Sequence, residues 1–300
     1  MTTIGFIGLG NMGRPMAAHL VRHGYRVRGY DRRDEVLAEA AAAAGLEAAR
    51  TPADAARGAD LLILMLPDGR VVRDVLVDDP EGALRGIADG ALVIDMSSSD
   101  PKVYDELAPA VAAEGAGLID APVSGGVKGA EAASLTTMAG GPADLVDRAL
   151  PVLQAMSARV FRTGALGSGQ AMKALNNLCS AGALMLTIEA LLIGQRFGLD
   201  ATLMTEVLNA STGRNNSTDK KILPFILSRR FDSGFAHKLM TKDVQTALSI
   251  AQQTGTEAEL SALTLDLARR ALDALGDDAD HTAVARYLED RVGEQLKGRA

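Results

Sequence analysis

Three glycines near the start of the sequence have the spacing of a phosphate-binding turn. Gly8, Gly10 and Gly13 form a G-x-G-x-x-G pattern between an apolar run and a helical stretch. In such a turn the first glycine permits the tight bend, the second leaves space for a pyrophosphate, and the third lets the helix lie close to the strand. The free N–H groups at the start of the helix, near Asn11 and Met12, then face the anion. We therefore predict that these five residues bind the pyrophosphate of a dinucleotide.

An acidic residue follows at the spacing expected for a contact with the adenosine ribose. Asp31 lies 18 residues after Gly13, close to the offset of about 20 residues that is typical of dinucleotide-binding folds. This spacing favours a dinucleotide site over a generic strand-turn-helix or a methyltransferase loop. A carboxylate favours NAD because it repels a 2′-phosphate, whereas Arg32 and Arg33 leave NADP possible because a guanidinium can pair with that phosphate. The predicted cofactor is NAD, with NADP possible, and Asp31 and Arg32 are predicted contacts.

A lysine is the best candidate for proton transfer. Oxidation of an alcohol by hydride transfer needs a group that accepts the hydroxyl proton. His19 and His23 lack the glutamate of an H-E-x-x-H zinc motif, so we expect solvated surface residues and no metal site. Lys173 lies in an apolar stretch, where desolvation would favour its neutral form, and Asn177 follows one helical turn later. On position alone, a lysine whose stem packs along an apolar surface remains the alternative.

Four ordered motifs, spread over nearly the whole chain, resemble those of one enzyme family. They are Ile7-Gly8-Leu9-Gly10-Asn11-Met12-Gly13 with Pro15-Met16, Asp120-Ala121-Pro122-Val123-Ser124-Gly125-Gly126, Gly167 to Lys173 with Asn176-Asn177, and Lys242-Asp243. Together they resemble the beta-hydroxyacid dehydrogenases, which include 3-hydroxyisobutyrate dehydrogenase, tartronate semialdehyde reductase and, more distantly, 6-phosphogluconate dehydrogenase. Four matches in order are more specific than any one short motif.

The resemblance implies roles in catalysis and in substrate binding. Lys173 is similar to the family's catalytic lysine, and Asn177 is similar to its substrate-orienting asparagine. Ser124, Gly125 and Gly126 resemble the loop that holds the substrate carboxylate. A Ser-Gly-Gly turn suits this role because it offers an anion a hydroxyl and unobstructed backbone N–H groups.

The resemblance also implies further contacts with the cofactor. Lys242 is similar to the residue that closes over the nicotinamide end, where it would contact both cofactor and substrate. An ordinary solvated pair with Asp243 is the alternative for this short motif. Leu66, Pro67 and Ser98 resemble cofactor contacts at the carboxyl edge of the sheet, where ligands of such folds bind.

Departures from the family pattern bear on the substrate. Ser98 stands where many members carry threonine, and Ala133 replaces a common glycine. Residues 211–217, with the sequence STGRNNS, are polar where 3-hydroxyisobutyrate enzymes usually place an aromatic. If this segment lines the pocket, Arg214 and the asparagines could pair with additional substrate oxygens. Helix-end caps are the alternative interpretation of these side chains.

The expected activity is hydride transfer between NAD(P) and a small 3-hydroxy acid or its semialdehyde. The substrate would be 3-hydroxyisobutyrate-like or a more polar acid such as glycerate or threonate. Two alternatives are left open. One is an NADPH-dependent imine reductase, although such relatives commonly lack the lysine at position 173. The other is a non-catalytic sensor that binds NAD(H).

Length and patterning predict two domains. The 300 residues exceed the roughly 100–200 of one domain. Residues 1–165 alternate apolar runs with helical stretches, which predicts an α/β Rossmann-type, doubly wound parallel sheet. Residues 166–300 predict an all-helical domain, joined to the first by a long helix over about 170–196, with the substrate cleft between the domains. Strands are expected near 4–7, 26–30, 59–66, 91–95, 117–120, 134–138 and 159–161, and later helices over 200–210, 218–228, 240–254, 257–274 and 280–296.

Composition and charge limit the classes of partner. A net charge of −7 is spread along the chain, with no basic stripe interleaved with aromatics, and this argues against nucleic acid. The single cysteine, Cys179, indicates a reducing compartment such as the cytoplasm, where we expect it to pack as a small hydrophobe. The predicted ligand is a small carboxylate.

The apolar helices predict an assembly of identical chains. The stretch from Ala174 to Ile188 holds two asparagines and is shorter than the about 18 apolar residues of a membrane span, so we expect a buried helix and no membrane partner. The unusually apolar helices after Gly169 suggest a homodimer or homotetramer.

Overall fold

A computed structural model describes residues 2–299 and divides the chain into a unit that ends at Lys173 and a unit that begins at Ala174. Strands and helices alternate in the first unit, and the second is helical. The predicted fold class, a Rossmann-type doubly wound sheet followed by a helical region, is confirmed.

Within the described residues, nine strands form the sheet of the first unit. They follow the order β3-β2-β1-β4-β5-β6-β8-β7, with β9 beside β8. The strands from β3 to β6 in that order run parallel. Their bounds are β1 Thr3–Ile7, β2 Arg26–Tyr30, β3 Glu47–Ala48, β4 Leu61–Leu64, β5 Leu92–Asp95, β6 Gly117–Asp120, β7 Val123–Ser124, β8 Leu135–Gly140 and β9 Ser157–Gly164.

The predicted parallel sheet has antiparallel neighbours at one end. β8 runs antiparallel to both β6 and β7. The chain continues from β6 directly into β7 and is then turned back by a six-residue helix at Gly126–Glu131. This short connection returns the chain beside the strand it has just left, whereas parallel neighbours need a longer crossover.

Helices cover both faces of this sheet because side chains alternate along each strand. In β4, Leu61 and Ile63 join one apolar cluster, whereas Leu62 and Leu64 join the other. All four are buried, as expected for a central parallel strand. The helices of this unit are α1 Gly13–Arg22, α2 Asp34–Ala44, α3 Pro52–Ala56, α4 Gly69–Arg73, α5 Tyr104–Ala113, α6 Gly126–Glu131 and α7 Ala143–Gln154, with short turns at Asp74–Asp78, Ala83–Arg85 and Pro101–Val103.

A 30-residue helix, α8, begins in the first unit and continues into the second. Two predicted helices differ in detail: the expected 218–228 helix is divided after Lys220, and the last helix ends at Val292. The bounds are α8 Ser168–Phe197, α9 Ala201–Ala210, α10 Asn216–Lys220, α11 His237–Gln253, α12 Glu259–Leu275 and α13 Val284–Val292, with a π-helical turn at Ile222–Leu227 and a 3-10 turn at His281–Ala283.

α8 is less buried than its sequence predicts. Leu186 and Ile193 are 68% and 71% exposed, and Cys179 is exposed instead of packed as a small hydrophobe. Within residues 2–299, α8 is the one helix whose length and composition would allow it to cross a membrane. Half of its apolar window is nevertheless buried in the protein, and core helices often have this composition.

Candidate active site

The segments predicted to bind ligands leave the sheet side by side. Ile7, Leu64, Asp95 and Asp120 are register partners on adjacent parallel strands, and each is the last residue of its strand. The glycine turn, Leu66-Pro67, Ser98 and the Ser124 loop follow these four residues. They therefore succeed one another along the carboxyl edge, where folds of this class bind nucleotides.

The glycine turn has the geometry that a dinucleotide requires. Gly8 has a φ of +96°, and a Cβ there would overlap the carbonyl oxygen of Met65. A Cβ on Gly13, where α1 begins, would overlap the carbonyl oxygen of Gly8. A Cβ on Gly10 would meet its nearest neighbour, Arg33 Nη2, only at 3.6 Å. The space in front of Gly10 is thus free for a phosphate, and the residues fit the cofactor.

The two residues between Gly10 and Gly13 are at least partly exposed to solvent. Asn11 is exposed, whereas Met12 is half-buried just before α1.

Asp31 is a buried carboxylate at the end of β2. Its Oδ2 accepts the Leu9 N–H at 2.9 Å, and its Oδ1 accepts the Arg33 backbone N–H at 3.0 Å and Nε at 3.1 Å. Burial opposes ionisation, but the hydrogen bonds from Arg33 and Leu9 outweigh it and lower the pKa of Asp31. Asp31 is therefore ionised at neutral pH. Arg33 holds this carboxylate, whereas Arg32, the predicted contact, is exposed.

A serine that sequence reasoning missed connects two neighbouring segments. Ser97 is fully buried, its Oγ accepts the Leu66 N–H at 2.9 Å, and its own N–H donates to Asp95 Oδ1 at 2.9 Å. Pro67 is exposed and Ser98 is half-buried. Ser99 is buried as well, and the sequence of three consecutive serines did not indicate which of them are buried.

The first unit brings Lys173 to the predicted anion-binding loop. The half-buried Lys173 donates from Nζ to the carbonyl oxygen of Val123 at 2.7 Å. Val123 directly precedes Ser124. Gly125 and Gly126 are exposed and have φ values of +135° and +60°, conformations that favour glycine. The amine is hydrogen-bonded to the residue that precedes this loop.

The second unit brings Asn177 and Lys242 together through Asp243. Asn177 Nδ2 donates to Asp243 Oδ2 at 2.6 Å, and Lys242 Nζ lies 3.6 Å from Asp243 Oδ1. Asp243 is buried, so the alternative of an ordinary solvated pair is wrong. Asp243 was part of a recognised motif, but its sequence position alone did not show that it contacts Asn177.

A buried polar network near the start of α8 was also missed. Asp120, at the end of β6, accepts the backbone N–H groups of Gly167 and Gln170, each at 2.7 Å. Burial raises the pKa of Asp120 to about 7, although these two N–H groups act in the opposite direction. The Tyr104 hydroxyl donates to Asp95 Oδ2 at 2.7 Å, and burial raises the pKa of this tyrosine. These partners lie far apart in sequence, so no local pattern indicated the network.

The polar segment 211–217 contains a helix cap. Asn215 Oδ1 accepts the N–H groups of Ser217 and Thr218 at the start of α10, which is a capping box. The cap interpretation is therefore right for Asn215. Arg214 and Asn216 remain exposed, and Arg214 lies 3.5 Å from the carboxylate of Asp219.

Of the two histidines expected to be solvated, His23 is exposed but His19 is not. His19 is buried, and its Nε2 lies 3.0 Å from the Glu131 carbonyl oxygen. Over the described residues 2–299, no group of three or more His, Cys, Asp or Glu side chains could hold a metal ion.

Two family models cover most of the chain. Residues 3–164 match the NAD binding domain of 6-phosphogluconate dehydrogenase, and residues 167–288 match the NAD-binding domain of NADP-dependent 3-hydroxyisobutyrate dehydrogenase. The chain belongs to the beta-hydroxyacid dehydrogenase family. The predicted NAD(P)-dependent oxidoreductase of small hydroxy acids is thereby confirmed.

Similar members of the family cover nearly the full length of this dehydrogenase. The mitochondrial 3-hydroxyisobutyrate dehydrogenase of Mus musculus is 38% identical over 295 residues, which are 96% of this chain and 88% of the mouse protein. The NAD-dependent L-serine dehydrogenase of Pseudomonas aeruginosa is 35% identical over 300 residues, covering 98% of this chain and 100% of that protein. The structure of Mycobacterium tuberculosis 3-hydroxyisobutyrate dehydrogenase with L-serine has a TM-score of 0.88 and 36% identity, covering 96% of this chain and 99% of that one.

Proposed function

We propose that this dehydrogenase oxidises a small polar 3-hydroxy acid with NAD and uses Lys173 to accept the hydroxyl proton. The observation that carries the proposal is the 2.7 Å hydrogen bond from Lys173 Nζ to the Val123 carbonyl oxygen. It holds an amine at the base of the loop that offers the Ser124 hydroxyl and the Gly125 and Gly126 N–H groups to a carboxylate.

The proton and the hydride leave the substrate by separate routes. The glycine turn and Asp31 would hold NAD, which would supply the hydride acceptor for the carbon that carries the hydroxyl. The neutral amine of Lys173 uses one N–H to bind Val123 and accepts the hydroxyl proton on its lone pair. Reduction of the semialdehyde reverses the proton transfer, with the ammonium of Lys173 as the donor.

Residues of the second unit orient the substrate in this proposal. Asn177 follows Lys173 by one turn of α8, and its amide is fixed by Asp243. A fixed amide can hold the reacting oxygen in one orientation, which contributes to catalysis through positioning. Lys242, beside Asp243, would act on the carboxylate of the substrate and on the nicotinamide end of the cofactor.

NAD is the preferred cofactor in this proposal because Asp31 is ionised. A carboxylate accepts hydrogen bonds from both ribose hydroxyls and repels a 2′-phosphate. The relative from Pseudomonas aeruginosa is named as NAD-dependent, which supports the same preference. Leu66, Pro67 and Ser98 would contact the cofactor further along the same edge, and the exposed Arg32 would lie at the ribose.

A polar substituent on the substrate is supported by the second unit and by the relatives. Arg214, between α9 and α10, and Asn216, the first residue of α10, are exposed and could contact additional oxygen or nitrogen atoms. L-serine, a 3-hydroxy acid with an amino group, appears in the names of one relative and one related structure. We therefore expect glycerate, threonate and L-serine to be oxidised with a higher kcat/KM than 3-hydroxyisobutyrate and 3-hydroxypropionate. A preference for the methyl-bearing acid would contradict this part of the proposal.

Replacement of Lys173 tests the chemistry. General acid–base groups contribute about 10²- to 10⁴-fold to turnover, so Lys173→Ala should lower kcat by about that factor. The Kd for NAD should stay within about twofold, since the lysine acts on the transition state. Lys102→Ala, an exposed lysine in the turn Pro101–Val103, is the matched control and should keep its kcat. Retained turnover in Lys173→Ala would remove this residue from the mechanism.

We propose that identical chains associate through an exposed apolar face of α8. Leu186, Ile193 and Phe197 are 68%, 71% and 84% exposed, and their spacing of seven and four residues places them on one helix face. Exposed apolar side chains that share a helix face can form an interface, and a homodimer or homotetramer would cover them. Sedimentation analysis should show a smaller species for the Leu186→Glu/Ile193→Glu double variant. An unchanged mass would exclude this face as the interface.

A cytoplasmic location is proposed from the same helix. The single thiol, Cys179, is exposed and stays free most readily in a reducing compartment. Cell fractionation with an antibody against the chain would test this, and recovery from an oxidising compartment would contradict it.

A further inference from the structure

A carboxylate from a distant strand holds the first turn of α8. Asp120 accepts the backbone N–H of Gly167, just before the helix, and of Gln170, its third residue. These groups belong to a helix start, where N–H groups lack intrahelical partners. The first turn of α8 contains no acidic residue of its own. Asp120 therefore supplies the hydrogen-bond acceptors that cap this helix N-terminus.

The carboxylate is tightly enclosed. A Cβ on Gly140 would lie 2.5 Å from Asp120 Oδ1, and a Cβ on Gly169 would lie 2.7 Å from Oδ2. A Cβ on Gly169 would also overlap the carbonyl oxygen of Met138 on β8. Two glycines thus allow the start of α8 to approach β6 and β8 closely. This enclosure leaves the helix start little room to shift.

The side chain of Gln170 adds a second anchor. It is 1% exposed, its Oε1 accepts the Ser99 N–H at 2.9 Å, and its Nε2 donates to the Ser97 carbonyl oxygen at 2.8 Å. Nε2 also donates to the Tyr104 hydroxyl at 3.1 Å. The backbone N–H groups at the start of α8 are hydrogen-bonded to Asp120, and the Gln170 side chain is hydrogen-bonded to the segment after β5. Together these hydrogen bonds fix the rotation of α8 about its own axis.

Lys173 follows this anchored turn, and its amine binds the residue that precedes the Ser124–Gly126 loop. It lies three residues after Gln170 on α8, and the oxygen that it binds belongs to Val123, three residues after Asp120. Asp120 is thus connected to the lysine through the helix and to the loop through the chain. We propose that Asp120 is a positioning residue, which sets where the Lys173 amine lies relative to Ser124–Gly126. This inference rests on the proposed role of Lys173.

A carboxylate suits this task better than a neutral amide. Both oxygens of Asp120 accept an N–H, whereas an asparagine would present one acceptor and turn an N–H₂ group toward the second N–H. Burial, together with the charge of Asp95 on β5, raises the pKa of Asp120 to about 7, whereas the N–H groups of Gln170 and Gly167 act in the opposite direction. The two hydrogen bonds to α8 are thus what favours the ionised form.

Asp120→Asn tests the inference against a matched control. Asp280→Asn makes the same change at another carboxylate that accepts backbone N–H groups, those of Gly234 and Thr282, each at 2.9 Å. Both variants should unfold at lower urea concentration. Because a misplacement of about 1 Å can cost on the order of 100-fold in rate, Asp120→Asn should lower kcat by about 10- to 100-fold. Asp280→Asn should keep kcat per folded molecule.

An isotope effect separates positioning from a loss of folded protein. With a hydroxy acid that carries deuterium at the reacting carbon, slower chemistry in Asp120→Asn should raise the isotope effect on kcat toward its full value. A smaller folded fraction would lower kcat and leave the isotope effect unchanged. The Kd for NAD should stay within about twofold, since the glycine turn is not altered.

The outcomes distinguish this inference from the function on which it rests. If Lys173→Ala keeps its turnover, the proposed proton transfer fails, and the positioning role fails with it. If Lys173→Ala is inactive but Asp120→Asn keeps the wild-type kcat and isotope effect, the proton transfer stands and the positioning role is overturned. Should Asp120→Asn not fold, Gln170→Leu removes the side-chain anchor and carries the same expectation for kcat and the isotope effect.

Discussion

Replacement of Gly10 by alanine should separate cofactor binding from folding. The added Cβ would meet Arg33 Nη2 at 3.6 Å, an ordinary van der Waals contact, and the φ of Gly10 is outside the left-handed region. At Gly13 the same change would overlap the carbonyl oxygen of Gly8. Gly10→Ala should therefore change the free energy of unfolding by less than about 1 kcal/mol. Gly13→Ala should lower it by about 1–3 kcal/mol.

The same methyl group on Gly10 should weaken cofactor binding. It would occupy the space through which the pyrophosphate approaches the backbone. Insertion of a methyl group into a closely packed contact costs about 1–3 kcal/mol, and about 1.4 kcal/mol corresponds to a factor of ten in affinity. The Kd for NAD should rise about 5- to 150-fold in a protein that remains folded.

Two measurements on the same preparations check this prediction. Urea unfolding gives the free energy of unfolding of the wild type, Gly10→Ala and Gly13→Ala, and calorimetric titration gives the Kd for NAD. An unchanged Kd in Gly10→Ala would refute the assignment of this glycine to the pyrophosphate. A loss of stability as large as that of Gly13→Ala would refute the view that the space before Gly10 is free.

Two further predictions concern cofactor choice and pH. Asp31→Ser should raise the ratio of kcat/KM with NADP to kcat/KM with NAD at least about tenfold. The change removes the carboxylate that repels a 2′-phosphate, and it releases Arg33 to pair with that phosphate. An unchanged ratio would contradict the role of Asp31. Burial, with repulsion from Lys221, lowers the pKa of His281 to about 4. Since only the unfolded ring takes up a proton near pH 6.5, this histidine should cost about 2 kcal/mol of unfolding free energy between pH 7 and pH 5. Urea titrations at pH 7 and pH 5 give the free energy of unfolding of the wild type and of His281→Gln. The difference between the two proteins should decrease by about 2 kcal/mol from pH 7 to pH 5. A difference that stays constant would contradict the low pKa of His281.

The parts of the fold with a local signal could be predicted from the sequence. The run Leu61–Leu64 is buried on both sides in a central strand, and an apolar run of this kind is typical of parallel sheets. The glycine turn likewise carries its own geometry. The direction of Leu135–Gly140 could not be predicted, because parallel and antiparallel neighbours have similar apolar patterns and the return depends on the short helix Gly126–Glu131.

The candidate site shows the same limit. Lys173 and the Ser124 loop could be identified because each lies in a recognisable motif. The contacts of Asp120 with Gly167 and Gln170 join residues that are 47 and 50 positions apart, and no periodicity reports such a contact. Cys179 illustrates the opposite error, since an apolar sequence neighbourhood predicted burial for a side chain that lies on the exposed face of its helix.

The capped segment between α9 and α10 offers a place where new substrate preferences could arise at little cost to folding. Asn215 secures the segment through Ser217 and Thr218, and its Nδ2 reaches the Thr187 hydroxyl at 3.2 Å. Arg214 and Asn216, which flank Asn215 in the sequence, are exposed. Libraries that randomise these two positions and retain Asn215 should therefore yield mostly folded variants, from which enzymes for other hydroxy acids could be selected.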